Sequence, residues 1–149
     1  MMTMRIYYAF SMKEEIKKLY EDHPLNLYLI LRNLYFMREA DQEYAVYLYK
    51  QMINKLNKSK IDRDLFIQYH NTYTYSKNGE KHIINNLYKD EVSVLTVKNS
   101  YLLITTNQNN TSFFQILDQY ASDFFICDFS NMDYFWLSSL KMLATSNAV

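Results

Sequence analysis

Glycine and proline each occur only once in this 149-residue chain, as Gly79 and Pro24. A single glycine cannot supply the phosphate-binding loop, the dinucleotide-binding fingerprint or the nucleophile elbow, because each of these motifs needs at least two glycines. So few glycines and prolines also leave no flexible linker and no change of composition that would mark a domain boundary. We therefore expect one domain spanning residues 1–149.

Cysteine is equally scarce, since Cys127 is the only one. One thiol cannot form a disulfide within the chain or build a zinc ribbon, and this usage fits a reducing compartment. Cys127 ends an apolar run, which predicts a buried structural thiol rather than a nucleophile. The histidines His23, His70 and His82 lack the spacing of metal ligands, and we expect surface or capping roles for them. No metal and no other cofactor is predicted.

Long apolar runs and an excess of either charge are also missing. No stretch approaches the ~20 apolar residues that a transmembrane helix needs, and the start lacks the apolar region of a secretory signal. The 16 basic and 16 acidic residues balance, and the pI is near 6.8, whereas nucleic-acid-binding domains usually carry a basic face. We expect a cytoplasmic protein that contacts neither a membrane nor nucleic acid directly.

Aromatic residues, in contrast, make up 17% of the chain, and 15 of them are tyrosines. Tyrosine has a large apolar ring and one polar tip, which suits a surface that is wet in one state and covered in another. Tyrosine and methionine, which occurs 8 times, are both enriched at protein interfaces. The composition favours a protein-binding surface, and it is equally compatible with a tyrosine-rich core.

Hydrophobic periodicity predicts the order of the elements. Alternating or continuous apolar stretches predict strands, and apolar residues three or four apart predict helices. Strands are expected at 5–10, 65–75, 92–97, 101–105 and 124–129. Helices are expected at 12–20, from Pro24 through the stripe Leu27, Leu31, Leu34 and Tyr35, and at 41–56 with Tyr44, Tyr47, Leu48, Met52 and Leu56 on one side. A fourth helix, capped by Asn110 or Thr111, is expected to hold Phe113, Phe114, Ile116, Leu117 and Tyr120. The stretch 82–90 is ambiguous, and 134–137 is expected to be a turn that caps the core. The fold class is α/β in the mixed α+β sense, with a mixed sheet of about five strands and about four helices packed on it.

Short polar motifs mark the predicted element boundaries. Ser11 and Glu14 fit a capping box at the start of the first helix, and the polar segment 57–60 fits the exit of the third. Residues 77–80 contain Asn-Gly, the strongest short hairpin signal. The joint at 98–100 predicts a second hairpin.

Chemistry-bearing residues motivate two alternative functions. Asp128 follows a buried apolar strand, where a carboxylate can bind Mg²⁺ or act as a base. A small metal-dependent hydrolase or nuclease centred on Asp128 would require a second carboxylate and a histidine nearby. The second alternative is a single-strand nucleic-acid binder, in which Tyr69, Tyr73 and Tyr75 on one strand face stack on bases. The neutral net charge weighs against it.

The two ends of the chain carry the most specific patterns. The segments are Tyr7-Tyr8 with Lys13-Glu14-Glu15-Ile16-x-x-x-Tyr20 at the start, and SFFQIL at 112–117, FICDF at 125–129 and YFWL at 134–137 at the end. In order and spacing they resemble the SirA family, the sporulation inhibitors of replication of endospore-forming bacilli. The likeness covers nearly the whole chain, although about 62–90 matches loosely and Glu21-Asp22 replaces the family's Phe-Gly.

This resemblance implies a protein-binding regulator rather than an enzyme, with no small-molecule substrate. Proteins of the family bind the N-terminal domain of the replication initiator DnaA and prevent its productive assembly at the origin. The family's contact positions fall here on Ile16 and Tyr20 of the first helix and on Gln51 of the third, and the family commonly has Phe where Ile16 stands. Ile16 and Tyr20 share one helix face. In the alternative interpretation, Met12, Ile16 and Leu19 form a stripe that packs on the core.

Overall fold

The computed structural model describes residues 3–36 and 42–140. Its strands are β1 (Arg5–Ser11), β2 (Tyr75–Asn78), β3 (Lys81–Asn86), β4 (Glu91–Val97), β5 (Leu102–Thr106), β6 (Phe124–Asp128) and β7 (Asp133–Trp136). Its helices are α1 (Glu14–Tyr20), α2 (Pro24–Tyr35), α3 (Gln42–Met52), α4 (Lys58–Tyr69) and α5 (Ser112–Tyr120), and residues 137–140 are also helical. The predicted α+β class is confirmed.

The described strands form one sheet in the order β2-β3-β4-β5-β1-β6-β7, and every pairing is antiparallel. The sheet is therefore larger than the predicted five strands, and it is not mixed. The additional strands lie at its two ends, where polar residues or short length conceal the strand signal. β7 replaces the predicted capping turn, because Tyr134 pairs with Cys127 of β6.

Helices cover both faces of the sheet. Side chains of α4 and α5 join one buried cluster, and side chains of α2 and α3 join a second cluster on the other face. Strand β6 is buried along its whole length, as its continuous apolar sequence predicts. Phe124 contributes to the first cluster and Phe125 to the second, and burying each ring contributes about 1.5–3 kcal/mol to stability.

The helices on the second face begin and end largely as the sequence predicts. Pro24 occupies the first turn of α2, where its missing N–H costs nothing. Leu27, Leu31 and Leu34 are buried, but Tyr35, the last residue of the predicted stripe, is exposed. The predicted third helix ends at Met52 rather than at residue 56, and Asp41 lies outside the described residues.

The region around α4 contradicts two predictions. Asn57 does not close the third helix; its side-chain oxygen accepts a hydrogen bond from the Lys60 backbone N–H at 3.2 Å and caps α4. The predicted strand at 65–75 is helical as far as Tyr69. Ile61 and Leu65, four residues apart, are the buried residues of this helix, and this spacing outweighs the bulky–polar alternation that favoured a strand.

The predicted capping box at the first helix is also absent. Ser11 is the last residue of β1, and its hydroxyl donates to the Asp123 carboxylate at 2.9 Å instead of capping a helix. Met12 continues the extended chain in an isolated antiparallel bridge to Ile53. Helix α1 consequently begins at Glu14 without a side-chain cap.

Several turn predictions are confirmed. The segment 77–80 closes the β2–β3 hairpin, and Gly79 adopts φ of +60°, a conformation that favours glycine. The ambiguous stretch 82–90 contains all of β3 except its first residue. Residues 98–100 lie in the joint between β4 and β5, as predicted. Thr111 caps α5, with its hydroxyl oxygen accepting a hydrogen bond from the Phe113 N–H at 3.3 Å.

Candidate partner-binding surface

The start of α1 is bonded to the end of α3. The Lys13 backbone N–H donates to the Met52 carbonyl oxygen at 2.9 Å, and the Lys13 ammonium donates to the Lys50 carbonyl oxygen at 2.6 Å. The Asn54 backbone N–H donates to the Ser11 carbonyl oxygen at 2.8 Å. Segments about forty residues apart in the sequence are thereby fixed side by side.

Side chains beneath this junction reinforce it. The Asn54 amide nitrogen donates to the Ser11 hydroxyl at 3.1 Å, to the Met12 carbonyl at 3.3 Å and to the Asp123 carboxylate at 3.3 Å. The Asp123 carbonyl oxygen in turn accepts from the Met12 N–H at 3.0 Å. The exit of β1, the exit of α3 and the entry of β6 thus meet in one hydrogen-bonded network, which positions the first turn of α1.

Helix α1 lies on the second core cluster without burying any residue completely. Ile16 and Tyr20 are half-buried and pack against that cluster. The far end of the helix is held by Trp136, whose indole N–H donates to the Tyr20 carbonyl oxygen at 3.2 Å. Leu19 is 65% exposed, so the alternative stripe of Met12, Ile16 and Leu19 does not form a core face.

Gln51 is exposed at the last turn of α3. Its neighbours Lys50 and Met52 are the residues whose carbonyl groups bond to Lys13. Gln51 therefore lies beside the first turn of α1, with Ile16 following within about one helical turn and Tyr20 about one turn further. We define the α1–α3 surface as Ile16, Tyr20 and Gln51.

Two tyrosines on the predicted apolar side of α3 are exposed. Tyr44 and Tyr47 are 60% and 59% exposed, respectively, whereas Leu48 and Met52 of the same predicted side pack on the second core cluster. The buried residues of the helix are Ala45 and Met52. The spacing of Ala45, Leu48 and Met52 at i, i+3 and i+7 is the signal that identifies the inward face.

The opposite side of α1 is polar. Glu14, Lys17, Lys18 and Glu21 line a groove of about 700 Å³ beside residues 121–123. Lys17 crosses this groove and donates to the Ser122 carbonyl oxygen at 3.0 Å. The Glu14–Lys18 pair, at 3.5 Å, is largely exposed, and such a pair contributes little stability.

Asp128 is engaged in a different cluster. Its carboxylate, 1% exposed, accepts hydrogen bonds from Arg5 Nε at 3.0 Å and from the Asn131 side-chain nitrogen at 2.7 Å. Arg5 also bonds to Asp133 at 3.0 Å, which brings a second carboxylate near but places a cation between the two. Within residues 3–36 and 42–140, no three His, Cys, Asp or Glu side chains group closely enough to hold a metal ion. The histidine that the hydrolase hypothesis requires is not found in this cluster.

The roles predicted for Cys127 and for the three histidines are confirmed only in part. Cys127 is buried, as expected, and burial raises the pKa of its thiol well above the ordinary value. His23 and His70 are exposed at helix ends. His82 is completely buried, contrary to the prediction. Its Nε2 lies 2.7 Å from an Asp62 carboxylate oxygen, and this partner, distant in sequence, gave no local signal.

The three tyrosines proposed for base stacking do not share a strand face. Tyr69 ends α4, Tyr73 lies in the following turn with 95% exposure, and Tyr75 is buried at the start of β2. The structure therefore contradicts the arrangement on which the nucleic-acid-binding hypothesis depends.

Fold and surface together define a small antiparallel α+β domain whose candidate contacts are helical side chains. The family model described as "Sporulation inhibitor of replication protein SirA" matches residues 5–141. The chain belongs to this family, and membership assigns it an inhibitory role in replication during sporulation. No match is found among curated proteins. In the described ranges, no helix combines the length and apolar character needed to cross a membrane.

Proposed function

We propose that this chain inhibits replication by docking its α1–α3 surface on the N-terminal domain of the initiator DnaA. The occupied initiator is then unable to assemble productively at the origin. The observation that carries the proposal is the bonded junction of α1 and α3, which presents Gln51 beside the helix that bears Ile16 and Tyr20.

The surface is suited to binding because it is held in place before a partner arrives. Ile16 and Tyr20 rest partly on the core, so less side-chain freedom is lost when a partner covers the remainder. An aromatic ring beside an aliphatic side chain forms the kind of anchor that dominates protein interfaces. The exposed Gln51 amide adds donors and an acceptor that can fix the register of the complex.

Inhibition by occupancy needs no catalytic group. One copy of the chain covers one initiator domain, so inhibition should follow the bound fraction and saturate at equimolar amounts when both proteins exceed the Kd. A catalytic inhibitor would instead act at substoichiometric amounts.

The direct test is a calorimetric titration of this chain with the purified N-terminal domain of DnaA from the same organism. Tyr20→Ala should weaken binding by about 5- to 150-fold, which corresponds to about 1–3 kcal/mol. Tyr73→Ala is the matched control, since Tyr73 is 95% exposed in a turn outside the surface. Gln51→Ala should weaken binding more than Gln68→Ala, which alters an exposed glutamine of α4.

The titrations distinguish docking on the α1–α3 surface from its absence. Binding that is reduced by Tyr20→Ala and Gln51→Ala, but not by the two controls, supports the proposal. A folded wild-type chain that gives no heat with the initiator domain at high micromolar concentrations contradicts it.

A further inference from the structure

We infer that the docking surface continues along α3 over Tyr44 and Tyr47, and that the same initiator domain covers both rings; this inference rests on the proposed function. The α1–α3 surface alone consists of one exposed amide and two side chains that are already half-buried. Its extension along α3 supplies the exposed apolar area that these three residues lack.

Helical spacing places the two rings in line with Gln51. Tyr44, Tyr47 and Gln51 stand at i, i+3 and i+7, and residues at these spacings share one side of a helix. All three are exposed, whereas Ala45 and Met52 face the core. Tyr44, Tyr47 and Gln51 therefore form a row along the outside of α3, and the two tyrosines lie farther than Gln51 from the junction with Lys13.

The area required by a stable complex favours the extension. A standard interface buries about 800 Å² on each partner. Ile16 and Tyr20 can contribute only the part of their surface that the core leaves open. A tyrosine buries about 150–250 Å² when fully covered, so two rings that are 60% and 59% exposed add a substantial share of the missing area.

The exposed apolar side chains of α4 do not extend the same surface. Phe66 and Ile67 are 45% and 61% exposed on α4. Helix α4 packs on the opposite face of the sheet from α3, because Ile61 and Leu65 belong to the first core cluster. A partner seated on the α1–α3 surface cannot cover α4 at the same time, which makes Phe66 a useful control position.

The test compares Tyr44→Ala and Tyr47→Ala with Tyr73→Ala and Phe66→Ala in calorimetric titrations with the N-terminal domain of DnaA. Each α3 variant should bind about 5- to 30-fold more weakly, and the controls should bind like the wild type. Tyr47→Phe should stay within about threefold of the wild type, because the ring supplies the buried area. A loss in Tyr47→Phe as large as in Tyr47→Ala would contradict the area argument.

A second measurement needs no substitution. Amide hydrogen exchange of the wild-type chain should slow at 44–51 when the initiator domain is added. If Tyr20→Ala weakens binding while the α3 variants bind normally and 44–51 gain no protection, the inference fails and the proposed function stands. If the wild-type chain does not bind, the proposed function fails first. Self-association of the chain alone that is lost in Tyr47→Ala would assign this face to a second copy and overturn the inference.

Discussion

Lys13 and Met52 are joined by a backbone hydrogen bond of 2.9 Å that fixes the first turn of α1 against the last turn of α3. The bond joins residues that the sequence separates by all of α1 and α2 and nearly all of α3. The helices can therefore act as one surface, and their relative position depends on the network of Ser11, Asn54 and Asp123 beneath them.

Asn54→Ala should loosen that junction. The substitution removes the side-chain donor shared by Ser11, Met12 and Asp123, and the expected loss is about 1–3 kcal/mol in the free energy of unfolding. Urea unfolding measures this loss, and titration with the initiator domain should show weaker binding as well. Asn85→Ala, at an exposed position of β3, is the matched control. Equal stability of the two variants would show that the network does not support the junction.

Acidification should destabilise the chain through His82. Burial lowers the pKa of this histidine below the ordinary 6.5, although the Asp62 carboxylate opposes the shift. At pH values just below 6.5, the unfolded state therefore binds more protons than the native state. The free energy of unfolding consequently falls as the pH falls from 6.5 toward the lowered pKa of His82. In His82→Gln this part of the pH dependence should disappear, whereas His23→Gln, at an exposed position, should keep it.

Denaturation midpoints, measured at several pH values between about pH 7 and about pH 5, give this change of stability with pH. An NMR titration of the wild-type imidazole checks the same point without a substitution. A midpoint at or above 6.5 for His82, or parallel stability curves for the wild type and His82→Gln, would contradict the prediction.

Asp128 and Asp133 should differ sharply although both bond to Arg5. Asp128 is 1% exposed and Asp133 is 46% exposed. Removing one partner of a buried pair costs about 3 kcal/mol or more, whereas an exposed pair contributes about 0–1 kcal/mol. Urea unfolding of Asp128→Ala and Asp133→Ala measures both costs. A stable Asp128→Ala variant would show that this carboxylate is not structural.

The centre of the sheet could be predicted from the sequence because its strands are rich in β-forming residues. β1, β4, β5 and β6 are all rich in aliphatic or aromatic side chains, and their turns contain clear polar signals. The outer elements could not be predicted as well. β3 contains His82 and two asparagines. The buried His82 contacts Asp62 of α4, which only the folded chain brings close.

The candidate surface was predictable only in part. Ile16, Tyr20 and Gln51 follow from the family resemblance, and whether they contact a partner stays a prediction. Apolar periodicity groups Tyr44 and Tyr47 with Leu48 and Met52 on one side of α3, and it does not distinguish the exposed tyrosines from the residues that pack on the core. The small residue Ala45, which α3 buries against its neighbours, distinguishes the two sides once the packing is known.

The most direct test is an NMR titration of the isotope-labelled chain with the unlabelled N-terminal domain of DnaA. Docking on the α1–α3 surface and its extension should give the largest shifts and line broadening at the backbone amides of α1 and of the Tyr44–Gln51 side of α3. The β2–β3 hairpin should stay unchanged. Perturbations confined to that hairpin or to α4, with α1 and α3 unaffected by bound initiator domain, would show that the partner docks elsewhere.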